Sequence, residues 1–343
     1  MTPSITRRTA LAGLLAAPAI AGFSRLGRAE ARTLNISHQF PGSNGETGDF
    51  RDQLCRRFAA EVTKRSNGEL AFNVYPNSSL MKTFAQFSAI RKGALDIGLV
   101  PTAYAGGDIH ELNLTFMPAM VTSYAQATAW KTAEIGREIT RLLDEKGVKI
   151  LTWAWQSGGI ASRTVPILLP SDVNGLKVRG GSREMDTMFK AAGATVSTMP
   201  SNELYIAMQT GTVDVGVTSS TSLISFRLEE TCKNLTGATG GSFFFILEPI
   251  LMSKLVFDSL PAAQQKILLA VGEELEPWAL KKAREDDAEL DRIYQKAGVA
   301  VHPFNAEQLG KWRELAARSS WKEFADKSGQ AARFLKLAEA VTL

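Results

Sequence analysis

At 343 residues, 45% hydrophobic and 22% charged, the chain carries enough apolar material for a large core and enough length for two lobes rather than one. Its formal charge of +4 falls to +1 when the first 31 residues are set aside, because Arg7, Arg8, Arg25, Arg28 and Glu30 lie there and 35 basic and 34 acidic side chains remain. A nearly neutral chain has no basic patch to explain, which excludes nucleic acid as its partner.

In chain order, Thr6-Arg7-Arg8-Thr9-Ala10-Leu11 leads into an apolar run from Leu11 to Gly22, and Ala29-Glu30-Ala31 offers a small-x-small cleavage pattern. Charged start, short apolar core and small-residue exit read as a signal peptide, and the arginine pair points to the twin-arginine export route. The run is shorter than the ~20 residues that span a bilayer, and no later stretch is long enough, so the remainder reads as a soluble exported protein.

Thr33 to His38 alternates as a strand, and Gly42-Ser43-Asn44-Gly45 opens a helix whose Phe50, Leu54, Phe58 and Val62 form one buried stripe. Gly68 ends that helix, Leu70 to Tyr75 is a second strand closed by Pro76, and Phe84 to Lys92 is a helix before the apolar strand Asp96 to Val100. This β-α-β-α-β order predicts a largely parallel sheet with right-handed crossovers. Ala129 to Asp144 reads as a helix and Val148 to Trp155 as a long strand on which Trp153 and Trp155 share a face.

The stretch from Gly175 to Asp214 repeats the pattern as strand, helix, strand, helix, strand, with Arg179 where the first strand meets its loop. In open α/β sheets ligands bind beyond the carboxyl ends of strands, and a guanidinium placed there matches a carboxylate with two parallel hydrogen bonds. After the strand Val213 to Val217 comes Thr218-Ser219-Ser220-Thr221-Ser222, hydroxyls that either donate to ligand oxygens or cap the next helix. Phe243 to Leu247 is a buried strand; Ser259 reads as an N-cap with Pro261 in the first turn, and helical periodicity runs to Ala297 through Pro277. A helix close to forty residues long, kinked at Pro277, follows from that spacing. Asn305 and Gln308 form a capping box for a final helical segment containing Trp312 and Trp321.

Other loop residues share the crevice of Arg179 by the same rule: His38 and Gln39 after the first strand, Thr102 and Tyr104 after the third. For His38 a structural role competes with ligand contact. A search for catalysis finds little, since His110-Glu111 lacks the second histidine of a zinc protease, and neither Gly-x-Ser-x-Gly nor a phosphate loop occurs. No catalytic residue, metal or cofactor is expected.

Gly175-Leu176-Lys177-Val178-Arg179, followed by Glu203-Leu204-Tyr205-Ile206-Ala207-Met208-Gln209-Thr210-Gly211-Thr212-Val213-Asp214, resembles the solute-binding proteins of TRAP transporters, the DctP-type family. Arg91 to Leu99, the first strand-helix-strand unit, the export signal and the long C-terminal helix extend the resemblance over nearly the whole chain. It implies an α/β, two-lobe periplasmic binding protein fold, with a ligand cleft between lobes and a long kinked C-terminal helix. The implied division is a signal peptide over 1–31, lobe I over 32–155, lobe II over 156–244, and a return to lobe I with the lobe-spanning helical region over 245–343. The strand ending at Trp155 would cross between lobes, Gln156-Ser157-Gly158-Gly159 would be the hinge, and the strand Phe243 to Leu247 would return the chain. Cys55 and Cys232 would then lie in different lobes, where a bridge would restrain closure; unpaired thiols are favoured and a bridge stays open.

By the same resemblance Arg179 clamps a ligand carboxylate. Thr218, Ser219, Trp155, Gln156 and Phe243 join Gln39, Tyr104, Thr102 and His38 as candidate contacts, with core packing the competing role for Trp155 and Phe243. Thr218 stands where many members have asparagine, and Gly159 where some have a further arginine, Arg163 being out of register. These departures speak against sialic-acid-type recognition. The implied activity is capture of a small organic anion by lobe closure in the periplasm and delivery to membrane-embedded TRAP permease subunits, by a protein expected to be a monomer. An exported hydrolase, or a binding protein that feeds a sensor, are the alternatives.

Overall fold

The computed structural model describes residues 31–342, and the export-signal segment falls outside them. Two mixed sheets form the framework. β1 (Arg32–His38) runs into α1 (Phe50–Arg65), where the Asp49 side chain accepts the Arg51 N–H as N-cap and Phe50, Leu54, Phe58 and Val62 are buried as the spacing predicts. β2 (Leu70–Tyr75), α2 (Gln86–Arg91) and β3 (Ile97–Leu99) complete the first unit, with β2 and β3 parallel to β1 on either side. The expected helix from Ala129 to Asp144 is two helices, α3 (Tyr124–Thr132) and α4 (Glu134–Glu145), because Ala133 is extended between them and Ser123 caps the first.

The expected long strand is likewise two, β4 (Val148–Thr152) and β5 (Trp155–Ser162), separated at Trp153 and Ala154 where the chain passes from one sheet to the other. β5 belongs to the second sheet, whose lobe also holds β6 (Lys177–Arg179), α5 (Arg183–Ala191), β7 (Thr195–Val196), α6 (Leu204–Gln209), β8 (Val215–Ser219) paired antiparallel with β5, α7 (Ser220–Ser225) and β9 (Asn234–Gly237). β10 (Phe245–Leu247) pairs with β5 and brings the chain back, so that β11 (Ile250–Ser253) inserts antiparallel between β3 and β4. The strand orders are β2-β1-β3-β11-β4 in the first sheet and, with β12 being Ala300–Pro303, β12-β9-β5-β8-β6-β7 in the second.

α8 (Lys254–Asp258) precedes α9 (Ala262–Lys296), a 35-residue helix that continues through Pro277. Ser259 closes α8 rather than opening α9: its hydroxyl donates to Val256 O, and Pro261 is the cap residue of the long helix. The first half of α9 packs on the first lobe, where Arg65 pairs with Glu274. Its second half packs on the second lobe, where the Tyr294 hydroxyl donates to Leu223 O and Asp291 accepts from Thr239. β12 (Ala300–Pro303) adds to β9, and α10 (Ala306–Ala316), α11 (Lys322–Ala325) and α12 (Gly329–Glu339) complete the fold. The Asn305/Gln308 capping box is formed as expected. Cys55, buried in α1, and Cys232 are free thiols.

Gly272 of α9 lies flat on β4: a Cβ there would stand 2.0 Å from Leu151 O and 2.7 Å from its carbonyl carbon. Gly272→Ala sets a helix-propensity gain of up to ~1 kcal/mol against overpacking of about 1–3 kcal/mol. The obstructing atoms are backbone and cannot swing aside, so the clash wins. Urea unfolding is expected to show a net loss of stability, and a gain would show that α9 does not seat on β4.

Candidate functional site

Both sheets present the same kind of edge to one another. In the first, His38, Leu99, Ile250 and Thr152 form the last paired row, so Gln39, the Val100 to Tyr104 loop and Glu248 project beyond it. In the second, Arg179 pairs with Gly216 and Ser219 with Gly158, which puts the Arg179 side chain, the end of β8 and Gln156 at its edge. This is the crevice at strand ends that open α/β sheets use for ligands. Hydrogen bonds cross it: Ser201 N–H and Arg179 Nη2 donate to the Tyr104 hydroxyl at 3.1 and 2.8 Å, and Thr83 donates to Asn202 at 3.3 Å.

Arg179 is 1% exposed. Its Nε donates to Met199 O at 3.0 Å, Nη1 to Val217 O at 2.6 Å and Nη2 to Tyr104, so each partner is neutral. Among the described residues it makes no ion pair. Of the five guanidinium N–H groups, one on each terminal nitrogen is left over, which is the number a carboxylate takes in a two-pronged contact. The Tyr104 hydroxyl accepts two hydrogen bonds and retains its own proton to donate. A buried charge is costly unless an opposite charge repays it.

The neighbouring arginine is the opposite case. Arg51 is fully buried, its guanidinium 3.4 Å over the Phe40 ring. Nε and Nη2 donate to the two oxygens of Asp49 at 2.9 and 2.6 Å, and Nη1 donates to Glu248 Oε2 at 3.0 Å. Burial pushes the Glu248 carboxyl up, against the pull of Arg51 and of the more distant Arg179, and the Gln156 amide donates to it as well. Two acids therefore neutralise Arg51, whereas Arg179 has no ion-pair partner among the described residues.

Of the remaining sequence candidates, Gln39 and Gln156 fit a ligand-lined crevice best: both are buried, and both Gln39 amide atoms and Gln156 Oε1 lack protein partners. Thr218 lies on the edge beside Val217, whose carbonyl braces Arg179. Ser219 caps α7 and accepts from Arg51, so the hydroxyl run serves the helix as one of its two expected uses. The other four side chains are engaged elsewhere. His38 Nε2 contacts Asp52 at 3.0 Å and its ring stacks on Phe40. Although burial opposes ionisation of Asp52, bonds from His38, Arg56 and Ser43 hold its carboxyl well below the usual range. The Thr102 hydroxyl lies 2.7 Å from that of Thr115 and donates to Leu247 O. Trp155 packs edge-on against Trp130 and lines, with Trp153, Lys131 and Pro277, a 320 Å³ groove beside α9. Phe243 stacks on Trp312 under the C-terminal helices.

Gly159 leaves no room for a longer side chain, since a Cβ would stand 2.5 Å from Thr236 O, and Arg163 pairs with Asp214 at the far end of β8. Sequence reasoning missed Arg51, Asp49 and Glu248. Their signals were present: an arginine in the first turn of a helix opposes the macrodipole unless acids hold it, and Glu248 is a lone charge between the apolar runs Phe243 to Leu247 and Ile250 to Met252.

Comparison with known proteins places this geometry. Residues 45–328 match the family model of the bacterial extracellular solute-binding proteins, family 7 (DctP). A solute-binding protein of Albidiferax ferrireducens is 52% identical over 311 residues, covering 91% of this chain and 92% of that protein. A crystal structure of a TRAP periplasmic solute-binding protein from Rhodoferax ferrireducens, with bound malonate, superposes with a TM-score of 0.89 at 52% identity over 90% of this chain and 98% of that one. The C4-dicarboxylate-binding periplasmic protein of Rhodobacter capsulatus is 26% identical, covering 76% of this chain and 78% of its own length.

Five residues after Arg179, Glu184 is buried in the first turn of α5 with Oε2 unpartnered. Burial pushes its carboxyl up to about 8 from an ordinary 4.5, with Arg183 opposing and Glu323 and Asp186 adding to the rise. The folded carboxyl thus holds its proton more tightly than the unfolded one, so its stabilising contribution is full below 4.5 and is lost as pH rises through about 8. Glu184→Gln is expected to flatten that decline and to melt higher than wild type at about pH 9. Parallel melting curves for the two proteins between acid and alkaline pH would show that Glu184 is solvated.

Proposed function

The chain belongs to the bacterial extracellular solute-binding proteins of family 7, and from that premise we propose that it captures a small carboxylate by closing its lobes on Arg179. The family is one of binding proteins for transport, which removes the exported hydrolase considered from the sequence. Two lobes, 32–155 and 156–244, close about the crossings near Ala154 and Glu248, with 245–343 returning to the first lobe and spanning both. The observation that carries the proposal is a fully buried guanidinium braced by three neutral oxygens and no carboxylate. Tyr104 completes the clamp from the other lobe, Gln39 and Gln156 supply further polar contacts, and Thr218 and Ser219 border them. The protein then works as a periplasmic monomer, presenting its cargo to membrane-embedded TRAP permease subunits. Among the described residues no helix is long and apolar enough to cross a membrane.

Malonate, bound by the 52% identical protein, is the first probe. Arg179→Ala strands the ligand carboxylate without its partner, at a cost of about 2–5 kcal/mol, or roughly 30-fold or more in affinity. Arg179→Lys recovers part of this, because it keeps the charge and loses the planar fork. Calorimetric titration of both variants, with circular dichroism as the control for folding, is the measurement. Near wild-type affinity in a folded Arg179→Ala protein defeats the clamp.

Processing is a second expectation: the arginine pair and Ala29-Glu30-Ala31 place the mature N-terminus at or near Arg32. N-terminal sequencing of protein from the periplasmic fraction tests it, and an intact leader on that material would contradict it.

A further inference from the structure

We infer that Arg51 is a positioning residue that latches the closed lobes together through Ser222 and Ser219, an inference that rests on the closing-receptor reading above. Its anchorage is asymmetric. Asp49 holds one edge of the guanidinium from the N-cap of α1, Phe40 covers a face, and Glu248 holds Nη1 from the returning crossing. All three belong to the first sheet's lobe or to its boundary. The same Nη1 also reaches across the crevice to the Ser222 hydroxyl at 3.0 Å and the Ser219 hydroxyl at 3.3 Å, at the start of α7 in the second lobe. Ser219 in turn donates to Ser222, which joins the two acceptors into one unit.

Opening the cleft breaks the bonds to the serines and leaves those to Asp49 and Glu248 in place. The arginine is thereby held in its reaching rotamer before closure, so little side-chain entropy is lost when the contact forms. Its charge is already neutralised, so it does not compete with Arg179 for the ligand anion. It acts on the closed state as a whole: Arg179 and Tyr104 meet at one part of the crevice, and Arg51 with the serines joins the lobes at another. Neither set of contacts depends on the other's atoms.

The test is Ser222→Ala, which removes the acceptor at 3.0 Å and leaves Arg51, Asp49 and Glu248 intact. Stopped-flow binding of malonate is expected to show dissociation about tenfold faster, as loss of a charged hydrogen bond implies. Association should stay within about twofold, because the latch forms after encounter. The urea midpoint of the unliganded protein should be unchanged and the midpoint gain on adding malonate reduced, a split that an ordinary structural bond would not give. Unchanged dissociation in the folded variant overturns the latch. So does an equal loss of midpoint with and without malonate. Arg179→Ala separates the two readings: if it binds malonate normally while Ser222→Ala still releases faster, the clamp fails and the latch stands.

Discussion

A buried guanidinium that finds only neutral partners is the constraint on which this structure turns. Taking a cation out of water costs several kcal/mol, and attraction to an opposite charge is what repays it. Arg51 meets that condition internally, with Asp49 and Glu248 within hydrogen-bonding distance. Arg179 does not: the carbonyls of Val217 and Met199 and the Tyr104 hydroxyl offer dipoles in place of a charge. The two arginines thus differ in kind, Arg51 closing an ionic network and Arg179 being held by neutral oxygens alone.

The topology explains how both arrive there. Each lobe ends its parallel strands toward the other because the chain crosses between β4 and β5 and returns between β10 and β11, so strand ends, loops and crossings converge. Close approach then limits which residues the crossing can carry. At Gly158 a Cβ would stand 2.2 Å from Thr218 O and 2.6 Å from the Phe244 ring. Gly158 lets β8 and Phe244 lie against the β5 backbone, and Gly159 does the same for Thr236 of β9, so close packing gives these glycines a reason besides the hinge freedom expected of them. The residues between β4 and β5, by contrast, are unpaired where the chain passes from one sheet to the other.

Much of this was legible in the sequence, and the failures share a cause. Period-two and period-four patterns gave the strand-helix order, the stripe Phe50, Leu54, Phe58 and Val62, and Arg179 at a strand end, because those features are local. Ala133 and the Trp153–Ala154 step went unread, since neither Gly nor Pro marks them and tertiary packing decides the break. Position after a strand identified Gln39 and Tyr104 as edge residues, but it could not tell that Thr102 spends its hydroxyl on Thr115 and Leu247 O, or that His38 is held by Asp52. Trp155 and Phe243 take the core role that competed with ligand contact, packing on Trp130 and Trp312, partners that sequence position alone could not name. Arg51 and Glu248 escaped for the same reason, being 197 residues apart.

The crossing contacts also suggest how the proposed closure would answer to cargo. If Tyr104 reaches Arg179 only when the lobes are together, an open cleft would leave the guanidinium partly hydrated and a closed one would strip that water away. On the proposed reading, closing without an anion buries a guanidinium that has no ion-pair partner among the described residues and is penalised, whereas closing around a carboxylate would replace the lost water with a charge-assisted pair. The ligand therefore shifts the equilibrium by its differential affinity for the closed state, which is the only way a ligand can shift it. Contacts that favour closure regardless of cargo, such as those of Arg51 with Ser219 and Ser222, must stay weaker than the penalty at Arg179. Were they stronger, the empty protein would shut, and the closed surface would no longer report that a solute is inside.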